Sequence, residues 1–200
     1  MQKFEAMKRK RAILVPTARE IEPFRRRIPE TAEIVVTGIG PHRCATATVE
    51  AILCGRYDRL ILSGIAGAYP GCGLSTGDVV FVESERCAGL GSWSEGAFAP
   101  KFAETYRCPY IPENLSLRSV RSNSAEAACA PYIDRNGVQI ENMEGAAFFH
   151  ACLRHGMPFA ELRAISNIVG EPFGAWRIPQ ATEALADALE RLLIILNEKA

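Results

Sequence analysis

Short, almost wholly apolar runs recur along this chain, and helix-like segments separate them. They fall at residues 12–15 (AILV), 33–37 (EIVVT), 59–63 (RLILS), 78–83 (DVVFVE) and 159–166 (FAELRAIS). A strand covered on both faces reads as a continuous apolar run rather than an alternating one. Between the runs, residues 20–27, 42–54 and 143–155 are predicted helices. Pro23 is expected in the first turn of the first helix, and Asn142 is expected to cap the third, which stops before Gly156. Residues 179–197 predict a long final helix with Leu185, Leu189, Leu192 and Leu196 on one face. The order points to an α/β domain with helices on both faces of a central sheet.

Residues 88–118 show no period and read as long loops, with a short helix expected near 101–106 and a strand over 117–121. At 200 residues, without repeats or a convincing linker, the chain is expected to hold one domain over 12–200. The opening MQKFEAMKRKR reads as a flexible basic leader over 1–11, with Met7 as an alternative start. Lys+Arg and Asp+Glu are equal at 23 each, so the basic surplus of a nucleic-acid binder is missing. No apolar run approaches the ~20 residues of a membrane helix, and 12–15 is too short for a signal-peptide core. The seven cysteines form no CxxC pair and suit neither a disulfide framework nor a zinc site. Most are expected to be small buried residues in a reducing cytoplasm, and no metal is expected.

Ligands in such folds collect where loops leave the carboxyl ends of strands. Thr17–Glu20, Ser63–Gly67, Asn142–Glu144 and Ser166–Asn167 occupy such places. Taken alone, Glu20 and Glu144 fit first-turn carboxylates facing a helix dipole, and Asn167 fits a turn residue. Gly64 and Gly67 fit close backbone turns, and His42, His150 and His155 fit structural roles. GxGxxG, GxxxxGK[ST] and GxSxG are all absent.

Four segments together are more specific: ILVPTAREIE (13–22), LILSGIAGAY (60–69), IENMEGAAFFHACLRHGMPFAELRAISNIVGE (140–171) and WRIP (176–179). They resemble the purine nucleoside phosphorylase and nucleosidase superfamily, and most of all its futalosine hydrolase branch. The resemblance spans residues 12–196 and is weak across 95–135. It implies a three-layer α/β/α phosphorylase-type domain with a central mixed sheet. It also implies cleavage of the N-glycosidic bond of a purine nucleoside, futalosine, without a cofactor. By resemblance, Glu20 activates the attacking water, Glu144 grips the ribose hydroxyls and Met143 packs beneath the sugar. Asn167 holds the purine edge bearing N7 and the 6-substituent. Gly64, Ile65, Ala66 and Gly67 form a turn against base and sugar, and a homodimer or higher homo-oligomer is implied.

Phosphorylases of this superfamily place an Arg and a Ser, both phosphate ligands, where this chain has Leu62 and Ile65. An apolar pair cannot satisfy a buried dianion, so water is the expected nucleophile, with Arg19 and Arg43 as possible substitutes for the missing ligands. Gly89 stands where the family usually has an Asp, and Ser122 and Asn123 are the candidates for contacting the base. Two alternatives stay open at this point. One is an adenine-releasing nucleosidase acting on methylthioadenosine, S-adenosylhomocysteine or aminodeoxyfutalosine. The other is a non-catalytic nucleoside-binding protein on the same fold.

Overall fold

In the computed structural model, residues 10–112 and 114–198 are described. The expected leader lies outside them except for Lys10 and Arg11, which already belong to the first strand, β1 (Lys10–Val15). Arg11 is buried there because its guanidinium reaches the end of the last helix, donating to Leu196 O (3.0 Å) and to Asn197.

Helix α1 (Ala18–Arg25) leads from β1 to β2 (Ala32–Val36), and α2 (Pro41–Leu53) leads on to β3 (Tyr57–Ala68). Both β2 and β3 pair in parallel with β1, one on each side of it. The two crossovers therefore run in opposite directions, and right-handedness puts α1 and α2 on opposite faces. The final helix, α4 (Ile178–Glu198), packs on α1, while α3 (Gly145–His155) packs on α2. That completes the three layers. Leu185, Leu189 and Leu192 are fully buried, each contributing up to ~1.5–3 kcal/mol by removal from water.

The rest of the sheet curls back on itself. Strand β10 (Phe159–Ile168) pairs with β3 along its length and with β4 (Val79–Cys87). Strand β4 pairs with β8 (Arg118–Ser124), and β8 with β9 (Ile140–Asn142). Strand β9 returns to β3 at Gly67 and Ala68, so β3, β10, β4, β8 and β9 form a closed ring. The sheet is mixed, as expected.

Four local expectations are corrected. Strand β3 does not end at Ser63 but runs through the glycines to Ala68, because β10 and β9 supply partners for that stretch. The segment 64–67 is thus strand, not turn. The first helix begins at Ala18, capped by the Thr17 hydroxyl, so Pro23 lies near its end rather than in its first turn. No helix forms over 101–106. Phe102 takes a positive φ of 65°, and β7 (Thr105–Arg107) pairs antiparallel with β4. The aromatic ring of Tyr106 packs there against His150, with centroids 5.3 Å apart. The preceding loop holds a hairpin of β5 (Gly91–Ser94) and β6 (Ala97–Pro100).

All seven cysteines are free, and Cys44, Cys108 and Cys152 are buried. Among the described residues no helix is long and apolar enough to cross a membrane.

Candidate active site

The carboxyl ends of β1, β3 and β10 converge with the start of α3 around a cavity of about 260 Å³. Glu20, Ile65, Ala66, Gly67, Met143, Glu144 and Asn167 all line it. Residues that are far apart along the chain thus share one wall.

Glu20 reaches the wall because Thr17 and Glu20 stand three apart at a helix start, the spacing of a capping box. The Thr17 hydroxyl accepts from Glu20 N (3.3 Å) and donates to Glu20 Oε1 (2.7 Å). The other oxygen, Oε2, accepts from Ile65 N at 2.9 Å, pinning α1 to β3. Gly64 makes this approach possible. A Cβ there would lie 2.8 Å from both Glu20 Oε2 and the Arg163 guanidinium. Burial pushes the Glu20 carboxyl above the usual range. The Ile65 N–H, the Thr17 hydroxyl and the Arg163 charge oppose that rise, and the Glu144 charge adds to it.

Glu144 is the residue just before α3, not part of its first turn. Its Oε1 accepts from Gly40 N (3.0 Å), and Oε2 accepts from Arg163 Nη1 (3.3 Å). The helix begins at Gly145 with Glu144 in the N-cap position, not at residue 143 behind Asn142 as expected, yet the Asn142 side chain still serves the N–H groups at its start. Asn142 Oδ1 accepts from the backbone N–H of Glu144 and of Gly145, each at 2.8 Å. Asn167 follows a register irregularity in the β10–β3 pairing, the kind of kink that re-aims a side chain. Its Oδ1 accepts from the Ser166 hydroxyl (2.8 Å), and its amide donates to Ile168 O (3.3 Å).

The expectation for Ser122 and Asn123 fails: both are fully buried and neither lines the cavity. They satisfy other polar groups instead. Ser122 accepts from the Asn142 amide (2.9 Å), and Asn123 donates to the Tyr69 hydroxyl (2.9 Å). Ala125, Ala127, Ala128, Phe173 and Trp176 form the flat apolar part of the wall. The Phe173 and Trp176 rings sit 5.0 Å apart. Trp176 stands in the quoted WRIP segment, and an aromatic pair between glycines and prolines was the available signal for this wall.

Arg163 was also missed as a site residue. It is fully buried and donates to Glu161 (2.7 Å), Glu144 (3.3 Å), Asn142 (3.0 Å) and Ile65 O (3.3 Å). A charge inside an apolar run needs partners, and that need was visible in FAELRAIS. Leu62 is buried in the sheet, away from the cavity, whereas Ile65 lines it. Arg19 is the one cationic side chain among the described residues on the wall; Arg43 is not there. Among the same residues no cluster of His, Cys, Asp or Glu is suited to a metal ion.

The strand ring, the flanking helix layers and the cavity at the strand ends define a protein of the phosphorylase class. Residues 114–196 match the Phosphorylase superfamily model. The fold also superposes on 5'-methylthioadenosine nucleosidase of Arabidopsis thaliana with a TM-score of 0.77. That match covers 94% of this chain and 96% of that one at 16% identity. Sequence narrows the class further. The chain is 39% identical to futalosine hydrolase of Thermus thermophilus, covering 78% of this chain and 79% of that protein. It is 31% identical to futalosine hydrolase of Streptomyces coelicolor, over 86% and 82% respectively. The chain belongs to the futalosine hydrolase family.

Proposed function

We propose that this protein hydrolyses the N-glycosidic bond of futalosine, releasing hypoxanthine and dehypoxanthine futalosine, a step in menaquinone biosynthesis. The observation that carries this reading is the shared wall: two buried carboxylates and a buried amide, from three separate stretches, face one cavity. Breaking the bond leaves positive charge on the sugar and negative charge on the departing purine. Glu144 stabilises the sugar end and Asn167 the purine end of the same transition state. Glu20, ionised, takes a proton from the attacking water. Met143 packs beneath the sugar, and Ile65, Ala66 and Gly67 lie along base and sugar.

Asn167 favours a 6-oxopurine. Its amide can donate to O6, and its carbonyl can accept from a proton gained at N7. Water is favoured over phosphate because Ile65 is apolar and the Arg163 donors are already engaged by protein groups. The catalytic unit is one domain that starts with β1 at Lys10, supported by a sheet that all strands except the β5–β6 hairpin share. A homodimer or higher homo-oligomer in the cytoplasm completes the reading. Family resemblance supports the assembly, and the free cysteines support the compartment.

The test is incubation with futalosine in phosphate-free buffer, followed by chromatography. Free sugar and hypoxanthine are expected. A phosphate-dependent sugar 1-phosphate as the main product, or preference for aminodeoxyfutalosine or methylthioadenosine, would overturn the reading.

A further inference from the structure

We propose that Glu85 is held as a neutral acid that donates its proton to Glu161, and that this pair positions Asn142 and, through it, Glu144. The proposal rests on the reading of Glu144 as the sugar-gripping carboxylate. Glu85 and Glu161 themselves are positioning residues, since neither lines the cavity.

The charges in this part of the interior do not balance. Glu85 on β4, Glu161 on β10, Glu144 before α3 and Glu20 on α1 are all buried around a single guanidinium, that of Arg163. Four carboxylates and one cation would leave three negative charges without compensation in a medium that solvates them poorly. At least one proton must stay. The hydrogen bonds say where. Glu161 Oε1 accepts from Arg163 Nε at 2.7 Å, which favours its ionised form. Its other oxygen, Oε2, is buried and has no protein N–H or hydroxyl bonded to it. Glu85 has only neutral donors: Asn142 to Oε1 (2.6 Å) and Ser124 to Oε2 (2.7 Å). The two carboxyl groups are neighbours, and burial beside Glu161 pushes the Glu85 carboxyl well above its usual range. A proton on Glu85 supplies the donor that Glu161 Oε2 lacks.

The consequence passes through Asn142. Its amide nitrogen donates to Glu85 and to Ser122, and its oxygen accepts from Glu144 N, Gly145 N and Arg163 Nη2. Every bonding site of that side chain is taken, and Glu85 is one of two acceptors that decide which way round the amide sits. With the amide reversed, the oxygen would no longer cap the N–H groups that aim Glu144 at the cavity. The fit is close: a Cβ at Gly145 would collide with the Glu85 carboxyl, so this acid rests against the first residue of α3.

The experiment compares Glu85→Gln with Glu85→Ala. Glutamine keeps the side chain neutral: its carbonyl accepts from the Asn142 amide, and its amide donates to Glu161 and to the Ser124 hydroxyl oxygen, so only the Ser124 bond changes direction. Its kcat and KM are expected to stay within about threefold of the parent, since the bonds to Asn142 and Glu161 are kept. In Glu85→Ala, kcat/KM should fall by about 100-fold, with KM raised as well as kcat lowered, because the sugar-gripping group is misplaced. A role in folding alone would lower the active fraction and leave KM unchanged. Infrared spectroscopy in D2O reads the proton directly. The parent should show a neutral carboxyl band that Glu85→Gln lacks, whether or not Glu144 has its assigned role. Absence of that band, or a glutamine variant as impaired as alanine, would overturn the proposal. Glu144→Gln with full activity would instead overturn the reading on which it rests.

Discussion

The interior of this molecule has two halves built on different physics. Between the two helix layers, strand β1 and the first half of β3 present Ile13, Leu14, Val15, Leu60, Ile61 and Leu62 to one face or the other, all fully buried. Inside the strand ring, Glu85, Ser122, Asn123, Glu161, Arg163 and Ser166 are buried to the same degree. The apolar half is stabilised by removal of surface from water, which needs no directional partner. The polar half is stable only while each group keeps its hydrogen bonds, so its members hold one another in fixed positions. The cavity lies on the boundary. Glu20 comes to it from the apolar half, and Glu144 comes to it from the polar half.

Four substitutions or conditions can break this contrast, taken from the largest expected effect to the smallest. Glu20→Gln removes the proposed base on the apolar side, and turnover should fall by ~10²–10⁴, measured as hypoxanthine release. Near-parental activity would mean the carboxylate serves only the start of α1. Leu62→Ala should cost ~2–5 kcal/mol in denaturant unfolding and leave the KM of the remaining folded protein unchanged. A changed KM would show that the two halves are not separable. Asn167→Asp replaces a donor with an acceptor beside O6 and should lose activity on futalosine by about 10²-fold or more, any gain appearing on the amino analogue. Equal activity on both substrates would remove Asn167 from base selection.

The smallest effect is that of pH. As the proposed base Glu20 must be ionised, and its folded value is raised above 4.5 by burial, so turnover should drop on acidification before an exposed glutamate would titrate. The sign for stability is opposite. A carboxyl whose folded value exceeds its unfolded one favours folding most while protonated and loses that contribution as pH rises through the folded value. Glu20→Gln should therefore melt at or above the parent's temperature at neutral pH, as calorimetry would show. A lower melting temperature would place the Thr17 and Ile65 hydrogen bonds above desolvation.

The same contrast explains what could be read from sequence. Apolar runs such as AILV and RLILS announce strands, and β1, the core of β3 and β10 are where those runs lie. Strand β8, RSVRSNS, offers no such pattern past Arg121, because its buried residues are polar and take their partners from β4 and β9. The seven candidate residues of the wall were legible through four segments that lie in or beside regular elements. Glu85 was not, and Arg163 and the Phe173–Trp176 pair left only indirect signals, a charge in an apolar run and two aromatics between glycines and prolines. Their importance comes from three-dimensional neighbours: Glu85 is 57 residues from Asn142, and Arg163 is 19 from Glu144. Tyr106 became part of a strand through pairing with β4, in a three-residue stretch too short to show a period of its own.

The ring of strands has one short seam. Strand β9 is three residues long and meets β3 through only two residue pairs, yet it ends in Asn142 and leads at once to Glu144. Opening the ring at its weakest join would therefore release Asn142 and Glu144, the proposed sugar-gripping carboxylate, together, while the apolar half stayed folded. Amide hydrogens at Ile140, Glu141, Glu144 and Gly145 should exchange as one unit, faster than those of β1, and a ligand bound in the cavity should slow that unit first. Such an opening would cost the molecule its proposed activity before its fold, and loss of turnover ahead of global unfolding would mark it.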